Sequence, residues 1–235
     1  VLDPGLARSI QCIVGRGTIA DLGAGVGEYG AYFSNCTLPL RPRWMGFDGT
    51  NDVEQLSAAG PPGAFTRQRN FCDMQLNLGE HDWVMSLEVG EHLPRHCIRG
   101  FFSLINRTGR LGAIISWGKH GQPGRGHISP LSREEVTDRM ASMGYQMDPV
   151  SSVLVRARSS TPWFRMNPQV FLREGTPSPF GSRFRRPSGE KNHSFYVSSL
   201  QESNRCRNLV ARLPEEAEQH CSCTYLSGAQ EQSQA

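Results

Sequence analysis

The chain has 235 residues, enough for one α/β domain with an appendage or at most two small domains. Its net charge of +3 is too small to argue for nucleic acid by itself, and no apolar run reaches the roughly 18 residues that a membrane-spanning helix requires. The seven cysteines include no C-x-x-C pair and read as reduced thiols of an intracellular, cytoplasmic protein, while a chain that begins at Val1 leaves any targeting segment out of view.

Leu6, Ile10 and Ile13 share one helical face, so a helix is expected to lead into a first strand at Thr18–Ala20. That strand ends at Asp21, and glycines follow at alternate positions, Gly23, Gly25 and Gly27, before a helical pattern with Tyr29, Tyr32 and Phe33 on one face. Strand, glycine loop and helix together make a cradle for a nucleotide. The glycines let a ligand approach the backbone, and the helix points its unpaired N–H groups at it. Gly25-Val-Gly27-Glu-Tyr-Gly30 also satisfies the dinucleotide fingerprint, so an NAD(P)-binding Rossmann enzyme is the alternative. A carboxylate beside a pyrophosphate would be repulsive, whereas beside an ammonium it is attractive.

After a break at Leu38-Pro-Leu-Arg-Pro, Trp44–Phe47 reads as a second strand ending at Asp48, positioned to accept from ribose hydroxyls. A short helix from Asp52 to Ala58 is expected next, then a third strand at Arg69–Cys72, ending at Asp73 and Met74. Asp82–Leu87 is the fourth strand and runs into Glu88-Val-Gly-Glu91-His92. A helix with Ile98, Phe101, Phe102 and Ile105 on one face leads to a fifth strand, Leu111–Ser116, apolar enough to lie centrally in a parallel sheet. The glycine-rich loop from Trp117 to His127 should overhang an acceptor pocket, because ligands in open α/β sheets bind at the carboxyl ends of strands. Ser132-Arg-Glu-Glu135 is a capping box opening a helix with Val136, Met140 and Met143 on its buried face. Ser151–Arg158 and Gln169–Arg173 are predicted as sixth and seventh strands, with Trp163 and Phe164 packing between them. From residue 176 the chain turns rich in Pro, Ser and Arg, then in Gln, so 176–235 is expected to be largely disordered apart from a short helix over 201–213. The cluster Arg183, Arg185 and Arg186 could touch RNA or another anionic partner.

Asp21-x-Gly23-x-Gly25-x-Gly27 resembles the first motif of class I S-adenosylmethionine-dependent methyltransferases, and the match spans 1–175. The resemblance implies a Rossmann-like, seven-stranded, mostly parallel α/β sheet with helices on both faces, and S-adenosylmethionine as cofactor. It implies that Asp21 serves the cationic amino-acid end, Asp48 the ribose, and Asp73 with Met74 the adenine, whereas the residues alone leave Asp48 open as a turn or cap aspartate and Asp73 as a surface turn residue. Glu88-x-x-Glu91-His92 looks like the signature of ubiquinone-biosynthesis-type O-methyltransferases and of small-RNA 3′-terminal 2′-O-methyltransferases, with Gly90 where an isoleucine is usual. Both families use a divalent ion, so Glu88, Glu91, His92 and His127 are candidate ligands for Mn²⁺, Fe²⁺, Zn²⁺ or Mg²⁺. The chemistry implied is in-line methyl transfer to an O or N nucleophile, with a small-molecule acceptor favoured over RNA or protein. His92 and His127 are the candidate bases. A methyltransferase-like binding module without turnover is the competing class of function.

Overall fold

The computed structural model describes residues 1–35 and 41–180. The predicted tail helix, the Arg183–Arg186 cluster and the break at 38–40 lie outside these residues.

Seven strands form one sheet: β1 Thr18–Leu22, β2 Arg43–Asp48, β3 Thr66–Gln68, β4 His81–Leu87, β5 Gly109–Ser116, β6 Tyr145–Met147 and β7 Gln169–Arg173. Their order is β3-β2-β1-β4-β5-β7-β6. The pairs from β3 through β5 are parallel, and β7 runs antiparallel to both β5 and β6. The Rossmann-like α/β expectation is therefore met. The order reverses at β1 and β4, which opens a crevice above their carboxyl ends.

Among the described residues six α-helices cover the sheet: α1 Pro4–Val14, α2 Glu28–Asn35, α3 Val53–Ala58, α4 Ile98–Thr108, α5 Arg133–Ala141 and α6 Pro149–Arg158. Side chains alternate across a strand with period two, so each central strand feeds two cores. Ile19, Trp83, Met85 and Ile114 join Leu6 and Ile10 of α1, Tyr32 and Phe33 of α2 and Val155 of α6 on one face. Ala20, Val84, Ala113 and Ile115 join Phe101 and Ile105 of α4 and Met140 of α5 on the other. No helix among the described residues is long and apolar enough to cross a membrane.

Three expectations are corrected. Ser151–Arg158 is a helix, not a strand. Asp148 caps it by accepting from the Val150 amide, and Pro149 takes the first helical position, where its missing N–H costs nothing. The run Val153-Leu-Val155 suggested β structure, but packing on the sheet overrode that propensity. The third strand lies at Thr66–Gln68, ahead of its expected place, because Asn70 accepts from the Cys72 amide and turns the chain away from the sheet. The cysteines are not uniformly reduced. Cys72 and Cys97 form a disulfide with Cα atoms 4.8 Å apart, and Cys12 is also disulfide-bonded. The turn after β3 folds back beside the start of α4, an approach that two cysteines 25 residues apart do not announce.

Candidate functional site

A cavity of about 630 Å³ opens above the carboxyl ends of β1 and β4. One wall is the glycine loop, with Asp21, Gly23, Gly25 and Val26. The opposite wall is the loop after β5, with Gln122, Arg125 and His127, and Glu88, His92, Trp163 and Phe164 complete the lining.

All three glycines of the loop have positive φ, yet their surroundings differ. A Cβ on Gly23 would lie 2.2 Å from Val89 Cγ2, and one on Gly27 would lie 1.8 Å from the Ala64 carbonyl oxygen. These two positions are glycine because protein fills the space. A Cβ on Gly25 would meet nothing within 4 Å, although Gly25 lines the cavity. That free space beside bare backbone is where a ligand can lie against the loop.

Asp48 holds the loop from below, its carboxylate accepting from the Gly25 amide at 2.8 Å and from the Thr50 amide at 2.8 Å. Each oxygen keeps a lone pair for a further donor. Asp21 is 3% exposed, and Trp44 Nε1 donates to its Oδ2 at 2.9 Å. Burial, reinforced by the charge of Asp48, pushes the Asp21 carboxyl up to about 7 against the pull of the Trp44 hydrogen bond. A cation entering the cavity would ionise it and supply the missing countercharge.

Asp73 and Met74 are not brought to this cavity. Asp73 accepts from the Gln75 amide in a surface turn, and Met74, 55% exposed, edges a separate depression with Leu76 and Arg107. The turn at Asn70 that ends β3 early carries both residues away from the crevice.

Beyond β4 the four candidate ligands divide. Glu91, His92 and His127 bring ligand atoms within 4.8 Å of one another, and Glu88 does not join them. Glu91 is fully buried, and its carboxylate oxygens make no hydrogen bond of good geometry although the Gly118 backbone and the Glu88 carboxylate lie beside them. His127 Nε2 stops 4.0 Å from Glu91 Oε1, and its buried Nδ1 is also unpartnered. The His92 ring meets that of His127 edge-on at 4.9 Å, with Nδ1 held 3.1 Å from the Gly126 carbonyl oxygen. Burial first, and the negative charge of Glu88 second, push the Glu91 carboxyl up to about 8. Buried polar atoms without partners are uncommon.

Gly90 makes the arrangement possible. A Cβ there would lie 2.0 Å from the ring of Trp117, which stacks on Phe102 at 5.3 Å and donates through Nε1 to the Ser129 carbonyl oxygen. The Glu91 carbonyl oxygen accepts from the amides of Ile128 and Ser129, which ties the loop after β5 to the tip of β4.

Glu88 has other partners. Ser116 Oγ and Asn167 Nδ2 donate to its Oε1, and Gln122 Nε2 donates to its Oε2 at 2.6 Å. Sequence reasoning missed Ser116, Gln122 and Asn167, and it placed Trp163 between strands although Trp163 is 39% exposed on the cavity. Gln122 lies inside a loop already marked as facing an acceptor, but nothing local distinguishes it from its neighbours. Asn167 follows no motif at all.

The fold is similar to that of several methyltransferases of known structure. A TehB-like SAM-dependent methyltransferase from Corynebacterium glutamicum is 17% identical, with a TM-score of 0.53 over 72% of this chain and 86% of that one. The sugar N-methyltransferase KedS8 from Streptoalloteichus is 13% identical, with a TM-score of 0.55 over 72% and 87%. Magnesium protoporphyrin IX methyltransferase from Synechocystis, with bound SAH, is 15% identical, with a TM-score of 0.50 over 72% and 83%. No protein-family model and no curated protein matches the chain. At such identities the likeness establishes the fold, that of the class I SAM-dependent methyltransferases.

Proposed function

We propose that this protein is an S-adenosylmethionine-dependent methyltransferase acting on an oxygen or nitrogen of a small-molecule acceptor. The observation that carries the reading is Gly25, a bare backbone position with open space beside it, held by Asp48 and next to the buried carboxyl of Asp21. The cofactor's amino-acid end would lie by Asp21, its ribose by Asp48, and its methyl group toward His92 and His127. Fixing donor and acceptor in line can supply most of the acceleration such a reaction needs. A histidine then removes a proton only where the nucleophile must lose one.

The cluster of Glu91, His92 and His127 fits a divalent ion by its donor chemistry and by the unpartnered buried atoms of Glu91 and His127. Two nitrogens and a carboxylate favour Zn²⁺, Mn²⁺ or Fe²⁺ over Mg²⁺. Such an ion would polarise an acceptor hydroxyl and make its proton easier to remove. Glu91 and the two histidines would hold it, and the buried position of Glu91 would exclude water from one side.

Isothermal titration of the folded protein with S-adenosylhomocysteine is expected to show one site per chain. Absence of binding would overturn the reading, and NADH binding in its place would favour a dinucleotide enzyme. Transfer of labelled methyl groups to components of a small-molecule extract would then identify the acceptor class.

A further inference from the structure

Glu88 lies at the point where three walls of the cavity meet, and it is one of two non-glycine residues with positive φ among those described, at 55°. Such backbone is strained for a residue with a side chain and persists where the surroundings hold it. Its carboxylate is almost fully engaged. Oε2 takes the amide of Gln122 from the loop after β5, at 2.6 Å. Oε1 takes Ser116 at the end of β5 and Asn167, at 3.0 Å for the latter. Asn167 Nδ2 also donates to Gln122 Oε1 at 2.8 Å, so Glu88, Gln122 and Asn167 close a triangle.

Each corner belongs to a different wall. Glu88 directly follows β4. Asn167 is 2% exposed and ends the turn that carries Trp163 and Phe164, its amide donating to the Trp163 carbonyl oxygen at 2.9 Å. Gln122 precedes Pro123 and Gly124, and the backbone of Gly124 lies so close over His127 that a Cβ there would fall 2.0 Å from Nε2.

We propose that Glu88 is the anchor of a latch, with Gln122 and Asn167 as its other members, that holds the 118–127 loop against the cavity and so sets His127 against Glu91 and His92. Glu88 is thereby a positioning residue in this chain and not a metal ligand, in contrast to what its motif suggests. The energetic reason is the number of bonds closed at one partly buried point: a carboxyl group accepting from two amides and a hydroxyl loses the arrangement if any donor turns into an acceptor and leaves its partners unsatisfied. The consequence for catalysis rests on the methyl-transfer reading of the cavity, but the latch itself does not.

The loop carries its own reporters, since Lys119 and Arg125 are exposed trypsin sites on either side of Gln122. Gln122→Glu would set two carboxylates against each other and should speed cleavage after Arg125 by roughly tenfold or more. The double variant Glu88→Gln with Gln122→Glu restores the contact with donor and acceptor exchanged, while Ser116 and Asn167 still find oxygens to donate to. Its cleavage rate is expected to return to within about threefold of the starting protein. Cleavage of Gln122→Glu at the unaltered rate would refute the latch, and so would a double variant as labile as the single one. Thermal unfolding followed alongside separates loop release from global unfolding. A merely structural Gln122 would not be rescued by reversing the polarity of its partner. Proteolysis needs no ligand, and titration of the unaltered protein with S-adenosylhomocysteine needs no variant, so failure of the latch and failure of the functional reading are distinguishable.

Discussion

On the proposed reading of the cavity, replacing Asp21 with asparagine should remove a pH dependence from the binding of S-adenosylhomocysteine. The carboxyl is buried, accepts one hydrogen bond from Trp44, and titrates at about 7. To pair with an ammonium it must be ionised, so binding expels a proton at any pH below its own titration. At pH 5.5 such a group is only about 3% ionised, against roughly three quarters at pH 7.5, so the affinity for S-adenosylhomocysteine should fall about 20-fold between them, about 2 kcal/mol. The α-ammonium of the ligand stays largely protonated over this range, so the slope belongs to the protein. Stability runs the other way. The folded-state value lies above the ordinary carboxylate value of 3.8, so the folded form binds its proton more tightly than the unfolded form. The ligand-free protein should therefore lose stability as pH rises from about 4 to 7, through this group alone. Asp21→Asn keeps an oxygen for Trp44 and needs no ionisation, so it should flatten the binding curve, remove this group's share of the stability slope while that of Glu91 remains, bind weakly at every pH and be the more stable form at pH 8. Calorimetric titrations across the range, with urea unfolding at matched pH, measure both effects. An affinity independent of pH, or an Asp21→Asn variant that binds at pH 7.5 as tightly as the unaltered protein, would refute the reasoning.

The two outer glycines of the loop and the inner one should separate fold from binding. Gly25→Ala meets open space and should cost only about 1 kcal/mol for its positive φ while weakening cofactor binding by roughly tenfold. Gly27→Ala drives a methyl into the Ala64 carbonyl and should destabilise the fold itself, read by urea unfolding; equal effects of the two on stability would argue against the open space at Gly25. Gly90→Ile collides with Trp117 and should cost about 2–3 kcal/mol or prevent folding; a variant of unchanged melting temperature would contradict the packing described. Opening Cys72–Cys97, which closes a loop with a sequence separation of 25, should lower stability by about 3 kcal/mol in unfolding curves of the oxidised protein and its Cys72→Ser/Cys97→Ser form. Alkylation mass shifts would show whether the bond was present, and an intact oxidised protein no more stable than the Cys72→Ser/Cys97→Ser form would count against its role.

The elements carried by local chemistry were legible in the sequence. The glycine loop, strands β1, β2, β4 and β5, the capping box at Ser132 and the helix with Phe101 and Ile105 all follow from periodicity, φ requirements and capping, which depend on neighbours a few residues apart. The helix start at Asp148-Pro149 went unread, because the valines after it suggested a strand. Tertiary structure alone decided which carboxylates are free. Glu88 and Glu91 stand three residues apart in one motif, yet one is bound by Gln122 and Asn167, at separations of 34 and 79 residues, and the other is fully buried beside His127. Asp73 and Met74 likewise follow a strand in the expected order but turn outward with Asn70, and Cys72 is thereby carried to Cys97. A motif records which donors and acceptors the chain holds. Which of them meet depends on where distant loops close, and that is settled by packing of the whole domain rather than by spacing along the chain.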